Sequence, residues 1–514
     1  MVTFSILSPD ASLSYDRIKL RLEEYRALLA SDSDTIQLST ENGKTVICRK
    51  QAKEMEQYLD QAEILLRDVV QSRDIPTLVV LHHLRDLSGV LDKLKLYDEC
   101  RLTGNCALDL AEALGRRSLE FRREQAETLA VIAVLSVYQP RARTLCIQAV
   151  SISEEVVAND ASHSNKLSFL TVLDLAGFLI TDYLGAQWLE RAIQLFEKEL
   201  PPTMVHSDFR SVIYYNYGTS LLRLKQFADA TAAYHESISI RRILVDNINA
   251  VRHNYHLAQA LRGMGQALDD LGSYGGAVAC YKEALDICTA MSAQEELQYN
   301  KLAANTLIDY GITLKHLNQF SEAAVVHQQA ISLCRNLAQT GYECTESLCD
   351  ALHNYGDSCF SLGQHAESLL AYQESIDLRL AFAATDPEQD KRLGCSYHDI
   401  ANSFYDLGKC AEANAAASEA LKRNHGAVLE ICNSAPDFKS CFVCQRAMIP
   451  DSLSNASAPH PFLLASSSQP VEHHGSDVSH IPTETPKPTG ETVNVTVHKR
   501  RQKILGLFRW NRAQ

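Results

Sequence analysis

The stretch LRGMGQALDDLGSYGGAVACYKEAL, residues 261–285, decides the fold. Counted from Gly272, it places a small residue seven positions back (Gly265), leucines four and one back (Leu268, Leu271) and an aromatic two ahead (Tyr274). Alanine follows at five (Ala277), tyrosine at nine (Tyr281) and alanine at twelve (Ala284). On both sides the apolar positions recur at the three- and four-residue steps of an amphipathic helix. Glycine between them is the residue that tolerates the left-handed conformation at a helix C-terminus. The stretch reads as helix, tight turn, helix.

The frame recurs. Lys225, Gly272, Asn318, Gly363 and Gly408 follow one another at spacings of 47, 46, 45 and 45 residues. Seven before them stand Gly218, Gly265, Gly311, Gly356 and Ala401; nine after them stand Tyr234, Tyr281, His327, Tyr372 and Ala417. The residue just before the turn is always leucine: Leu224, Leu271, Leu317, Leu362 and Leu407. Small residues at matched heights let two helices approach, and large ones fill the gaps between neighbours. Weaker copies lie upstream. One is framed on Lys95 (Leu84, Ser88, Leu91, Cys100, Ala107), and one lies 42 residues later (Ala130, Ala133, Ala142, Cys146, Ala149). A degenerate unit covers Leu170 to Leu200 with Ala192 and Phe196. About eight units are expected over residues 76–432.

Residues 11–30 and 50–72 also read as amphipathic helices, for instance through Ile18, Leu22, Tyr25 and Leu29. They are expected to cap the array, since an uncapped end exposes an apolar face. The expected division is therefore an N-terminal cap over 1–75, the array over 76–432, a disordered Ser/Pro/His-rich linker over 433–492 and a basic segment over 493–514.

The constellation Met264-Gly265-Gln266-Ala267-Leu268, then Ala277 and Tyr281, resembles the tetratricopeptide repeat, with its Leu-Gly-x-x-Tyr and Ala-x-x-x-Phe signatures. The period near 45 exceeds the usual 34, so the extra residues lengthen the helices or the turns between repeats. The array is similar to long-helix tetratricopeptide proteins such as kinesin light chains. It is also similar to fungal arrays that accompany a signalling NTPase or a caspase-like domain, neither of which is visible in this chain. The resemblance implies an all-α, right-handed α-solenoid that holds an extended peptide or a partner helix in a concave groove.

Charge narrows the partners. The chain carries 63 acidic and 49 basic side chains, and the excess is uneven: 57 against 40 up to residue 432, then 6 against 9. An acidic body argues against nucleic-acid binding, which needs a basic face. MVTFSILSPD has no basic region ahead of its apolar stretch, so no secretory signal is expected. The longest apolar run, Leu129 to Tyr138, is half of the roughly 20 residues that a bilayer helix needs. Fifteen cysteines in such a chain read as reduced thiols and point to the cytosol.

Chemistry is sparse. Asn42-Gly43-Lys44-Thr45 has the end of a phosphate loop, but its upstream glycine would fall on Leu38, so a turn between two helices is expected. Cys432, Cys441 and Cys444 lack a second ligand pair at zinc spacing and are expected to be free thiols. Cys100, Cys146, Cys359 and Cys410 occupy repeat core positions as small apolar residues. No metal, cofactor or catalytic set is expected.

The groove positions are more informative. Nine before each turn stand Asn216, Gly263, Asp309, Asn354 and Asp399. In long-helix tetratricopeptide proteins an amide there holds a peptide backbone, and an amide offers both a donor and an acceptor. Asn216 and Asn354 should then face solvent. The positions ten, nine, six, three and two before the turns give six acids (Asp269, Asp270, Asp309, Asp357, Asp399, Asp406) and three bases (Arg223, Arg262, Lys315). The groove candidates are thus Asn216, Arg262, Asp309, Asn354, Asp399, Asp357 and Asp270, and their balance favours a basic or neutral protein segment over the acidic tails of chaperones. In the basic C-terminal segment, Ile504, Leu507 and Phe508 would share a helical face beside Trp510, which suits weak contact with an anionic membrane. The function expected is a non-enzymatic protein-interaction scaffold. The alternative is a regulatory or sensor subunit docking a separate effector, and an enzyme ranks third.

Overall fold

The structure, a computed structural model, describes residues 9–29, 35–40, 43–48, 52–71, 78–94, 96–116, 118–135, 141–199, 204–248, 251–291, 296–339, 344–383 and 387–434. Among them the N-terminal elements are α1 (Pro9–Leu29), β1 (Thr35–Thr40), β2 (Gly43–Cys48) and α2 (Ala52–Gln71). Three helix pairs follow: α3 (Leu78–Lys93) with α4 (Tyr97–Gly115), α5 (Leu119–Leu135) with α6 (Arg141–Asn159), and α7 (His163–Leu179) with α8 (Tyr183–Glu199). Four more regular pairs come next: α9 (Met204–Arg223) with α10 (Phe227–Ile248), α11 (Val251–Asp270) with α12 (Tyr274–Met291), α13 (Glu296–His316) with α14 (Phe320–Gln339), and α15 (Thr345–Ser361) with α16 (His365–Ala383). The last pair is α17 (Pro387–Asp406) and α18 (Cys410–Ser434). Among the described residues the fold is a helical repeat, with α3–α18 forming eight helix pairs. The helices form two compact units, the first running through α16 into the start of α17, the second holding the rest of α17 and α18. In the first unit each helix packs on the next, and α9, α11, α13 and α15 touch in succession.

The five turns repeat one geometry. Lys225 and Asn318 adopt φ of 59° and 58°, and Gly272, Gly363 and Gly408 adopt 75°, 74° and 72°. Each turn closes with the two backbone bonds of a Schellman motif, as in Ser273 N to Leu268 O at 2.8 Å and Gly272 N to Asp269 O at 2.8 Å. These bonds satisfy carbonyls that the helix end leaves open. The helices of the regular pairs run 17 to 22 residues, so the long period is spent in helix length.

Behind four of the five turns an aromatic ring lies on a glycine. A Cβ at Gly265 would sit 2.6 Å from Tyr281, at Gly356 2.6 Å from Tyr372, and at Gly311 2.2 Å from His327 Nε2. Burying a ring this fully contributes about 1.5–3 kcal/mol. In the fifth pair both partners shrink or grow together, to Ala401 and Ala417, and both are fully buried.

In the N-terminal helices α2 packs on α3, and Ile18, Leu22, Tyr25, Leu59, Leu66 and Val69 join the core beneath α3 to α9. Between α1 and α2 the expected turn is instead a strand pair, antiparallel from Thr35↔Cys48 to Thr40↔Gly43. The β-branched residues Thr35, Ile36, Thr45, Val46 and Ile47 favour the extended form there. No helix among the described residues is long and apolar enough to cross a membrane. The linker 433–492 from residue 435 on, the segment 493–514, Cys441 and Cys444 lie outside the described residues.

Candidate interaction face

On α9, α11, α13 and α15 the positions ten, six and three before the turn are mostly half-buried. They include Tyr215, Thr219 and Leu222 on α9, Arg262, Gln266 and Asp269 on α11, Ile312 and Lys315 on α13, and His353, Asp357 and Phe360 on α15. The helical step puts them on one face of each helix, and the common turn geometry sets them at one height in successive pairs.

The polar groups of this face are joined from repeat to repeat. Arg262 Nε donates to Asp309 Oδ2 at 2.6 Å, and Gln266 Nε2 donates to the same oxygen at 3.0 Å. Thr313 Oγ1 donates to Asp269 Oδ1 at 2.7 Å, and His316 Nδ1 lies 3.2 Å from that oxygen. Lys315 Nζ donates to Asp357 Oδ2 at 2.6 Å and to Asn354 Oδ1 at 3.1 Å. Tyr372 OH donates to the other oxygen of Asp357 at 2.7 Å. Burial opposes ionisation of Asp357, but Lys315 and His353 overcome it and hold the carboxyl down to about 2.

The structure revises the sequence reading at five places. Asn216 does not face solvent: it is 6 % exposed, and its amide donates to buried Asp174 of α7 at 2.7 Å. Its register partner Asn354 is half-buried and donates to Asp350 O at 2.9 Å. The carboxylates that favoured a basic segment are largely neutralised in place, with Asp309, Asp357 and Asp269 all engaged. Asp270 is exposed, with no hydrogen bond or ion pair to another described residue, and desolvation and the adjacent Asp269 push its carboxyl up. Cys410 is exposed rather than core, because it opens α18 at the turn edge, whereas Cys100, Cys146 and Cys359 are buried. Burial pushes the Cys146 thiol up to about 12, so it stays protonated and apolar in character. In the second unit, Asp399 Oδ1 lies 2.7 Å from His398 Nδ1.

Sequence reasoning missed Asp174, whose helix lies in the degenerate unit, and it missed the isolation of Arg223. That guanidinium is half-buried, two residues before the Lys225 turn, and has no hydrogen bond or ion pair to another described residue. Burial pulls it down to about 10, still protonated at neutral pH.

Two stretches, 258–290 and 350–382, match the family described as tetratricopeptide repeat; they cover the α11–α12 and α15–α16 pairs. These two stretches are tetratricopeptide repeats. No curated protein sequence matches it. Among solved structures it is similar to a signal-transduction ATPase with a tetratricopeptide repeat sensor from Pyrococcus horikoshii, at 13% identity, TM-score 0.44, over 83% of this chain and 62% of that one. It is similar to aspartyl phosphate phosphatase F from Bacillus subtilis, at 14% identity, TM-score 0.39, over 72% and 93% of the two chains. It is also similar to BtubC from P. vanneervenii, at 14% identity, TM-score 0.39, over 49% and 94%.

Proposed function

We propose that this tetratricopeptide-repeat chain is a non-enzymatic interaction scaffold whose α9–α15 face takes an extended segment of a protein partner. The observation that carries the reading is the half-buried row running across four successive helices, neither core nor freely solvated. Its joined amides, carboxylates and guanidinium form a rigid, repeating polar floor, and rigidity lowers the ordering cost of binding. Neighbouring helices lie about 8–10 Å apart and an extended chain rises about 3.3 Å per residue. A bound segment therefore needs about three residues to pass from one floor position to the next. The side chains of the floor would read its register, as in other extended-peptide complexes.

A photo-crosslinking residue replacing Ile312, on the face, should capture a partner when the full chain is expressed in its own cells. The same residue replacing Ile243, which is 62 % exposed on α10, should capture none. Capture from position 243 alone would overturn the reading.

A further inference from the structure

We propose that Arg223 is the point at which a carboxylate of the bound segment is held. This deepens the scaffold reading and rests on it. The cations on the α9–α15 face follow a rule: each is met by an acid from the next repeat. Arg262 finds Asp309 nine residues before the next turn, and Lys315 finds Asp357 six residues before the next turn. For Arg223 those two places on α11 are Gly263 and Gln266. Neither carries a charge.

The gap has a steric cause. The Tyr234 ring lies where a side chain at position 263 would begin, with a Cβ there only 2.6 Å from Tyr234 Cζ. An aspartate matching Asp309 cannot be fitted. Gln266 is already turned toward Asp309. Arg223 is thus left as a half-buried guanidinium with no anion among the described residues, an arrangement that costs free energy unless a partner arrives. The Tyr234 hydroxyl of α10 lies 3.1 Å from Thr219 Oγ1, and Thr219 stands one turn before Arg223 on α9, so a hydroxyl pair lies close by. A guanidinium fork suits a carboxylate, which it can engage with two parallel bonds. The exposed Asp270 occupies the equivalent place one repeat on, so the segment that fits carries an acid over α9 and no acid about three residues further along.

The test uses the full chain and three fluorescein-labelled octapeptides of glycine and serine, identical except for two central Glu, Gln or Lys residues. Fluorescence anisotropy at low salt should show the Glu peptide binding at least tenfold more tightly than the Gln peptide. Arg223→Gln should abolish that preference, Arg223→Lys should keep part of it, and high salt should weaken it. Both variants should melt no lower than the parent, since a desolvated charge is removed or kept. Equal binding of the Glu and Gln peptides, or a preference that survives Arg223→Gln, overturns the proposal. If crosslinks from position 312 persist in that case, only the carboxylate assignment falls; if they are absent as well, the scaffold reading falls with it.

Discussion

The helices α1–α8 and the regular pairs α9–α16 achieve the same stacking by different chemistry. The first region has one continuous apolar core from Ile18 to Phe196, which reaches Ile213 of α9. Charges are sealed into it: Arg85, Glu99 and Glu124 are each under 10 % exposed. Burial works against the Glu124 charge, yet His82, Arg85 and Arg123 hold its carboxyl down to about 2. In the regular region the core divides into smaller clusters, such as the one around Ala277, Tyr281, Tyr310, Leu314 and Ala323. Each pair there is locked by the same few devices: a ring on a glycine, a left-handed turn, and in two pairs a serine bonded to a carbonyl of the facing helix. Ser237 Oγ donates to Ser211 O at 2.8 Å and Ser375 Oγ to Cys349 O at 2.9 Å. A core of interchangeable apolar residues can vary freely, whereas a lock needs particular residues at fixed offsets. The second region is therefore the one that repeats in sequence.

If the locks hold the regular region, the one lock built from a titratable ring should be its weak point in acid. His327 takes the place that tyrosine fills in three sister pairs; it is fully buried, its Nδ1 lies 3.2 Å from Ser358 Oγ, and its Nε2 hydrogen-bonds to no side chain among the described residues. Burial pushes the imidazole down to about 3 from an ordinary 6.5. A depressed folded value means that the stability is fully present above pH 6.5 and is lost as pH falls from there toward 3. At about 1.4 kcal/mol per unit, the loss approaches about 4 kcal/mol near pH 3.5. His327→Tyr should flatten this fall, and the difference should already show between pH 6.5 and 5, before carboxylates titrate. Urea unfolding across that range, with hydrogen exchange to localise it, checks both points. Identical acid slopes for the two proteins, or earlier opening of α3–α8 than of α13–α15, would mean that the lock is not the weak point.

The same contrast explains what the sequence could reveal. Turn positions, small residues and rings were legible because backbone conformation and close approach admit few side chains. Of the N-terminal pairs only the spacing could be read. At α7–α8, Ile180 is extended and Asp182 Oδ1 accepts from Leu184 N at 2.9 Å, with no left-handed residue to mark the place. The site was less legible than the fold. Asn216 shares its register with Asn354, yet one is bonded to Asp174 and the other to its own helix and Lys315. Register fixes the height of a side chain on a helix but not which neighbour will claim its hydrogen bonds.

Glycines from the two regions should respond with opposite signs. Gly265→Leu in α11 drives a side chain into Tyr281 and should cost about 1–3 kcal/mol or more. At Gly104 of α4 the nearest atoms to a new Cβ are the flexible ends of Ile132, both at 3.4 Å. There Gly104→Ala should be neutral or should stabilise by up to about 1 kcal/mol through helix propensity. Chemical denaturation of both variants tests the pair. A Gly265→Leu protein as stable as its parent would remove the ring-on-glycine lock, and a large loss from Gly104→Ala would show that the N-terminal core is locked as tightly.

The smallest effect concerns the turns themselves. Lys225 holds φ of 59° with its N bonded to Leu222 O at 3.2 Å, the same geometry that glycine adopts at Gly272. A non-glycine residue in this region carries a strain of about 1–2 kcal/mol, while glycine returns about 0.5–1 kcal/mol of that as extra freedom in the unfolded chain. Lys225→Gly should therefore stabilise the α9–α10 pair by about 0.5–1 kcal/mol. Asn318→Gly should gain less, since asparagine tolerates the left-handed form. A second cause must be separated from strain: the Lys225 charge acts on Asp270 of α11 and offsets a part of the rise that burial and Asp269 impose on its carboxyl. Removing that charge would weaken an exposed attraction, a loss that salt abolishes. A gain that grows slightly with salt, as the charge loss fades, assigns the effect to the backbone. A loss at low salt that fades to nothing at high salt would show that the lysine is held there by its charge, and that the left-handed turn costs the regular region little.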